Sequence, residues 1–292
     1  MRFLEIRFRV KSPAIVTRRR SERGFKSSLD SIPGSTLRGA LLSSLFYQGR
    51  VSRENLEKER NDPSLICTPA YPVVKDEKSW PSHPFVFRCK ATHQLVLNKA
   101  GEVIEDLEAG RTPAIPIVCP EGHAALESLH PKLIDSKGNL VAPESFSSIC
   151  VGINKNRASF EGGMLYEYDA IAAGETLWAM LACSGDTEID KGFEFWVGRG
   201  ISRGFGHMEV TQVEDLKLEE KARQARDAIK NGRIVLYSLS PLVSVEDGSC
   251  RAYPEMIDLS WVARKLSLQG GGKMEVEVVY GKQPRMTLAG IS

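Results

Sequence analysis

Two sets of residues in this chain could do chemistry. The first is a pair of Cys-x3-His units, Cys89-Lys-Ala-Thr-His93 and Cys119-Pro-Glu-Gly-His123. Thiolate and imidazole are ligands suited to tetrahedral zinc, and two such units together would close a four-ligand structural site. The competing reading is two unrelated Cys–His pairs, because the spacing is not the common Cys-x2-Cys. Cys67 is a spare candidate ligand. The second set is Val-Gly-Arg-Gly-Ile-Ser-Arg-Gly-Phe-Gly-His, from Val197 to His207. Gly198, Gly200, Gly204 and Gly206 permit positive φ and close approach of the backbone to another surface. Arg199 and Arg203 supply planar forks that match phosphate oxygens. Together they predict a backbone cradle for a polyanion, against the plainer reading of a basic turn. The spacing fits neither the dinucleotide fingerprint nor the Walker loop.

Other chemistry is sparse. The five histidines stand at 83, 93, 123, 130 and 207. None falls in the first eighty residues, and two are claimed by the expected metal site. No Ser–His–Asp or paired-carboxylate arrangement stands out. Asp30 precedes a turn and reads as a turn acid. A further basic run, from Arg18 through Arg19, Arg20 and Arg23 to Lys26, includes Gly24 and Phe25. An aromatic among cations can stack on a base, although a solvated loop is the usual fate of such a run.

Composition narrows the class. The chain has 292 residues, 42% hydrophobic and 26% charged, with net charge +2, which is ordinary for a globular protein. A nearly neutral molecule must touch nucleic acid through local basic patches rather than as a polycation. The six cysteines are scattered, unlike a secreted disulfide scaffold, and point to reduced thiols in the cytoplasm. The N-terminus alternates apolar and charged residues and does not read as a signal peptide. No run of about 18 apolar residues exists, so no membrane partner is expected.

The elements that must position these residues follow in order. Phe3 to Val10 alternates with period two and predicts a half-buried strand. Pro33-Gly34 marks a turn, and Ser35 or Thr36 is placed to cap a helix carrying Leu37, Leu41, Leu42, Leu45 and Phe46. Arg38 lies near that helix start, where backbone N–H groups favour an anion. From Gln48 to about Cys150 prolines are dense and long helices are not expected. Strands are expected at Ile149–Ile153, Met164–Ala172, Glu175–Ala182 and Met208–Val213, with a short helix over Asp190–Val197. The order β-α-β-β-α-β is that of ferredoxin-like and RRM-like domains, with the proline-rich region inserted between the first helix and the second strand. A charged helix at Leu216–Asn231, a strand at Arg233–Leu239 and a strand-like Met274–Tyr280 make a smaller C-terminal half.

Ile32-Pro33-Gly34-Ser35-Thr36-Leu37-Arg38-Gly39 and the Gly198–Gly206 loop, with Arg157 to Tyr166 between them, resemble the RAMP superfamily of CRISPR-associated proteins. Ala70-Tyr71-Pro72 and the Cys/His insertion resemble most the Cas-five-like subunits of type III-D and type VII systems. The resemblance implies an α+β, ferredoxin-like RAMP domain over 1–215, with a zinc-binding insertion at about 50–148, and a smaller α/β half over 216–292. It implies a non-catalytic subunit that holds the 5′ handle of a CRISPR guide RNA and caps a filament of Cas-seven-like backbone subunits. Target RNA or DNA would be met indirectly. The expected RNA contacts are Arg19, Arg20, Arg23, Ser35, Arg38, Arg157, Gly198, Arg199, Gly200, Arg203, Gly204, Phe205 and Gly206. Structural zinc is expected on Cys89, His93, Cys119 and His123. The alternatives within the resemblance are a backbone subunit that cleaves target RNA, and a guide-processing endoribonuclease.

Overall fold

The computed structural model describes residues 1–17, 28–113, 118–123, 125–154, 156, 159–184, 187–228, 237, 244–246, 249–251, 256–265, 269 and 271–276. The chain divides into two compact units, Arg2–Glu219 and Glu220–Ser292 with Met1. In the first unit, strand β1 (Arg2–Val10) is the period-two strand expected from the sequence. Leu4, Ile6, Phe8 and Val10 are at most 1% exposed, and Glu5, Arg7 and Arg9 lie on the other face. Helix α1 (Gly34–Tyr47) covers the apolar face with Leu37, Leu41 and Leu45, four residues apart and all buried. Its N-cap is Pro33, with no side-chain cap, so neither Ser35 nor Thr36 caps it. The entry is fixed by packing instead. A Cβ on Gly34 would stand 2.5 Å from the Cys67 carbonyl oxygen, and Ile32 exchanges backbone hydrogen bonds with Ala70.

Helix α2 (Arg53–Lys58) is short and capped by Ser52. The strands β2 (Leu65–Cys67), β3 (Tyr71–Val74), β4 (Glu77–Lys78), β5 (Trp80–Pro81), β6 (Val86–Cys89) and β7 (Val96–Asn98) follow. After helix α3 (Ala100–Glu108) come β8 (Leu126–Ser128), β9 (Leu133–Ile134) and β10 (Leu140–Val141). Then β11 (Ser145–Asn154), β12 (Ser159–Ile171), β13 (Thr176–Cys183), β14 (Glu194–Trp196) and β15 (His207–Asp215) end the first unit.

The central sheet has the order β14-β15-β1-β13-β3-β4, with β2 also on β13. Each of these pairings is antiparallel. Two sequence expectations are corrected here. The strand beside β13 is not 164–172. It is β2 and β3, inside the proline-rich region, so the insertion follows the second strand of the core rather than preceding it. Residues 164–171 belong to β12, which pairs with β11 as a separate hairpin. The second correction is Asp190–Val197, which is not a helix. Phe193, Phe195 and Val197 are all buried and alternate with exposed Glu194 and Trp196, so the true period is two. Pairing of β14 with β15 satisfies the backbone that a helix would have satisfied internally.

The region between β4 and β11 holds two small antiparallel sheets, β7-β6-β8 and β10-β9-β5. Trp80 of β5 stands edge-on to the buried Trp178 of β13, with ring centroids 4.2 Å apart. The Trp178 indole N–H donates to the Ser79 carbonyl at 3.1 Å. This seals the face of β13 that α1 does not cover.

In the second unit, helix α4 (Leu218–Ala228), which starts at the end of the first, is followed by the hairpin β16 (Ser244–Glu246) and β17 (Ser249–Arg251). Strands β18 (Met256–Asp258) and β19 (Lys273–Glu275) pair around helix α5 (Leu259–Lys265). The strand expected at 233–239 lies outside the described residues except for Tyr237. Among the described residues, no helix is long and apolar enough to cross a membrane.

Candidate nucleic-acid interface and metal centre

The glycine-rich stretch leaves β14 and enters β15 through a single 3-10 turn, Ile201–Arg203. All four of its glycines have left-handed φ: 84° at Gly198, 77° at Gly200, 87° at Gly204 and 79° at Gly206. A residue with a Cβ resists that region, so four glycines in nine residues are required by the path of the chain. Two of the four are also held by the protein itself. A Cβ on Gly198 would fall 2.3 Å from the Ile15 carbonyl oxygen, and one on Gly206 would fall 2.0 Å from that of Val197. Gly204 differs, because no atom of the described residues lies within 4 Å of where its Cβ would be.

The loop is seated on residues 13–17, which follow β1. Arg199 N–H donates to the Ile15 carbonyl at 3.0 Å, and Gly206 N–H to the Pro13 carbonyl at 2.8 Å. On its other side Ala14 exchanges two backbone bonds with Ile171 of β12, each 2.9 Å. Thr17 then bridges to Ser28. That bridge is the neck of the basic run. Arg19, Arg20 and Arg23 lie outside the described residues, as does Arg157. Thr17 and Ser28, the described residues on either side of that run, follow and face the segment on which the glycine loop is seated.

Within the loop, Arg199 and Arg203 are exposed. The Arg203 guanidinium lies over two rings, with its carbon 5.1 Å from the Tyr168 centroid and 5.8 Å from that of Phe205. Arg38 has a different setting. Its Nε donates to the Leu65 carbonyl at 2.7 Å, and its Nη2 reaches the Glu59 carboxylate at 2.5 Å and the Glu59 carbonyl at 3.2 Å. The Glu59 side chain is only 8% exposed, and its other oxygen accepts the Ser64 N–H at 2.8 Å. Arg38 therefore holds α1 to the segment leading into β2, with these donors spent on protein oxygens. Ser35 sits in the first turn of α1, away from any capping role. Glu59, Tyr168 and the 13–17 segment were not singled out from the sequence. Their roles come from contacts across the fold, and no local pattern marks them.

The Cys/His units fold as two tight turns. His93 N–H donates to the Cys89 carbonyl at 3.0 Å, and Gly122 N–H to that of Cys119 at 2.9 Å. Cys89, Cys119 and His123 are brought together, with one ligand atom from each lying within 4.8 Å of the others. Hydrogen bonds from the Thr92 backbone and hydroxyl lead the causes that pull the Cys89 thiol down to about 6, with Ala91 and Cys119 contributing. Two thiol groups, one biased to thiolate, and an exposed imidazole form a donor set that suits zinc with a fourth position left to complete. His93 departs from the expectation. It adopts a left-handed φ of 56°, and its Nδ1 faces Glu127 at 3.5 Å instead of the two cysteines. Glu127 also takes Arg88 at 2.5 Å, which holds the carboxylate below its usual range. Cys67 is no spare ligand. It is in β2, and burial pushes its thiol up to about 12.

No protein-family model matches the chain, and no curated protein matches it. Solved structures do. A chain in the type III-B Cmr-beta apo complex is 11% identical over 74% of this chain and 97% of its own, with a TM-score of 0.40. Oligomeric Cmr4 from Pyrococcus furiosus is 13% identical over 74% and 99%, with a TM-score of 0.32. A chain of a type IV-B CRISPR complex is 8% identical over 74% and 90%, with a TM-score of 0.35. At these scores the likeness carries no functional weight.

Proposed function

We propose that this chain is a non-catalytic RNA-binding subunit of a CRISPR guide-RNA effector complex, and that it grips a single-stranded segment of the guide at the glycine-rich loop. The observation that carries the proposal is the build of that loop. Four left-handed glycines set its path, Arg199 and Arg203 are exposed along it, and Thr17 and Ser28, the described residues that flank the 18–27 basic run, pair next to the segment that seats it. Single-stranded RNA is recognised through phosphates and splayed bases, and such a loop offers donors to the first and rings to the second. The RAMP-like motifs direct the reading to a guide RNA. The four-stranded antiparallel core, β15-β1-β13-β2/β3, is read as a ferredoxin-like arrangement in which β14 and the 3-10 turn stand where a second helix would be. Zinc on Cys89, Cys119 and His123 would act as a staple for the β6–β8 region. Its partners are the guide and neighbouring effector subunits, with the 5′ handle as the segment held and the end of the filament as its place.

The test is the Arg199→Ala/Arg203→Ala double variant, titrated with a labelled single-stranded RNA at several salt concentrations. Each lost phosphate contact should lower the salt slope by about 0.7. Unchanged affinity and slope would remove the loop from the interface. In the assembled complex, Asp30→Ala should leave any target cleavage intact, and its loss would assign the backbone-subunit role instead.

A further inference from the structure

We propose that Trp196 is a stacking platform for a nucleobase, at the foot of the glycine-rich loop. The inference rests on the loop reading above, takes the same single-stranded RNA as its ligand, and adds a base contact to the phosphate contacts. Trp196 is the last residue of β14 and His207 the first of β15, and the two are paired across the strands. They close the loop that runs from Val197 to Gly206, so RNA seated on the loop has this pair as its neighbour. The Trp196 indole and the His207 imidazole stack, with ring centroids 5.0 Å apart and planes within 10° of parallel. The imidazole is itself held: Glu194 Oε1 stands 3.5 Å from its Nε2, and the His207 backbone N–H donates to the Ser12 hydroxyl at 3.0 Å.

Strand β14 is the edge of the central sheet, with no strand beyond it among the described residues. His207 takes the side of the indole toward β15, and the indole also borders a groove of about 680 Å³ between β14 and the end of α1. That volume is in the range of small-molecule sites. Across the groove stands Tyr47, 85% exposed, and the Gln48 amide donates to the Glu194 carbonyl at 2.9 Å, which ties the end of α1 to β14. The Trp196 side chain serves no core. It is 39% exposed, while Phe195 on the opposite face of the same strand is buried. The charges around the groove do not select phosphate, because Arg50 and Lys191 are matched by Asp190 and Glu194, and Arg50 pairs with Asp190 at 3.6 Å. What remains to be recognised is a flat apolar face. Every base has one, and stacking on it tolerates any sequence. The stack on His207 also restrains the indole in advance, so less rotamer freedom is lost when a base arrives.

The full chain is titrated with a labelled single-stranded oligoribonucleotide of mixed sequence, and with a strand of the same length that lacks bases. Trp196→Thr puts a strand-forming side chain at this exposed position. It should weaken binding of the intact strand by about 5- to 150-fold and leave binding of the baseless strand unchanged. The salt slope should not move, because no phosphate contact is lost. Trp196→Phe keeps a ring and should bind within a few-fold of the parent, while RNA quenches its tryptophan emission less than the parent's. Melting temperatures on the same proteins identify a variant that has lost its fold, and if Trp196→Thr is one, the quenching comparison carries the test. Equal quenching in the parent and Trp196→Phe, or equal losses on the intact and baseless strands, would overturn the platform. Parent-like RNA affinity in Trp196→Thr beside failure to join other subunits would give the surface to a protein partner and overturn it too. A lowered salt slope in Arg199→Ala/Arg203→Ala, with Trp196→Thr binding as the parent does, would overturn the platform and leave the loop reading standing. The reverse result would overturn the loop reading and leave the platform, and no binding by the parent would overturn both.

Discussion

Replacing Gly206 with alanine would put a Cβ 2.0 Å from the Val197 carbonyl oxygen, closer than the 3.0 Å that Cβ atoms essentially never breach. The backbone at this site must therefore move by roughly an ångström, the difference between those separations. Two hydrogen bonds are exposed to that movement: Val197 N–H to Gly206 at 2.9 Å, and Gly206 N–H to Pro13 at 2.8 Å. Each contributes about 1 kcal/mol net. The left-handed φ adds about 1–2 kcal/mol for a residue with a side chain. The sum is about 3–4 kcal/mol, or roughly 6–16 °C in Tm for a unit of this size. Gly204 has the same hand of φ, but no described residue stands within 4 Å of the added carbon. Its alanine variant carries only the strain, about 1–2 kcal/mol, and roughly 2–8 °C. Thermal unfolding of both variants by circular dichroism, with RNA titration well below either Tm, separates the roles. Gly206→Ala should be the unstable one. Gly204→Ala should remain folded and lose RNA affinity, because its added carbon meets none of the described residues and would stand in the way of RNA approaching the loop. Equal depression of Tm in the two variants, or a milder effect at Gly206, would refute the division of the loop into a supported and an open part.

Arg38→Ala should lower stability by about 2–4 kcal/mol, since it strands the buried Glu59 carboxylate and the Leu65 carbonyl. Denaturant unfolding measures this, and the RNA salt slope should not change with it. Cys119→Ser should abolish stoichiometric zinc by elemental analysis and lower thermal stability, whereas His93→Ala should retain most of the metal. Full zinc in the Cys119 variant, or none in the parent protein, would dispose of the site.

Signals confined to neighbouring residues were legible in the sequence. Strand β1 declared itself through the alternation of Leu4, Ile6, Phe8 and Val10, because side chains on a strand repeat every second residue. Helix α1 was marked by Pro33-Gly34 and its leucines. The four loop glycines announced an unusual backbone, and left-handed φ is the local property that selects glycine. Tertiary structure decided whatever depends on which remote segments meet. Asp190–Val197 held apolar residues compatible with either period, and only pairing with β15 settled it as a strand. The partner of β13 proved to be Leu65–Cys67 and Tyr71–Val74, residues whose prolines and short runs conceal a strand until a neighbour supplies the hydrogen bonds. His93 and His123 are alike in spacing from their cysteines, yet Glu127 takes one, and the fold leaves the other beside both thiols. Arg38 and Arg203 read alike as phosphate ligands. The first meets buried Glu59 and the second meets Tyr168, because the value of a charge is set by its surroundings in space, and a one-dimensional pattern does not contain them.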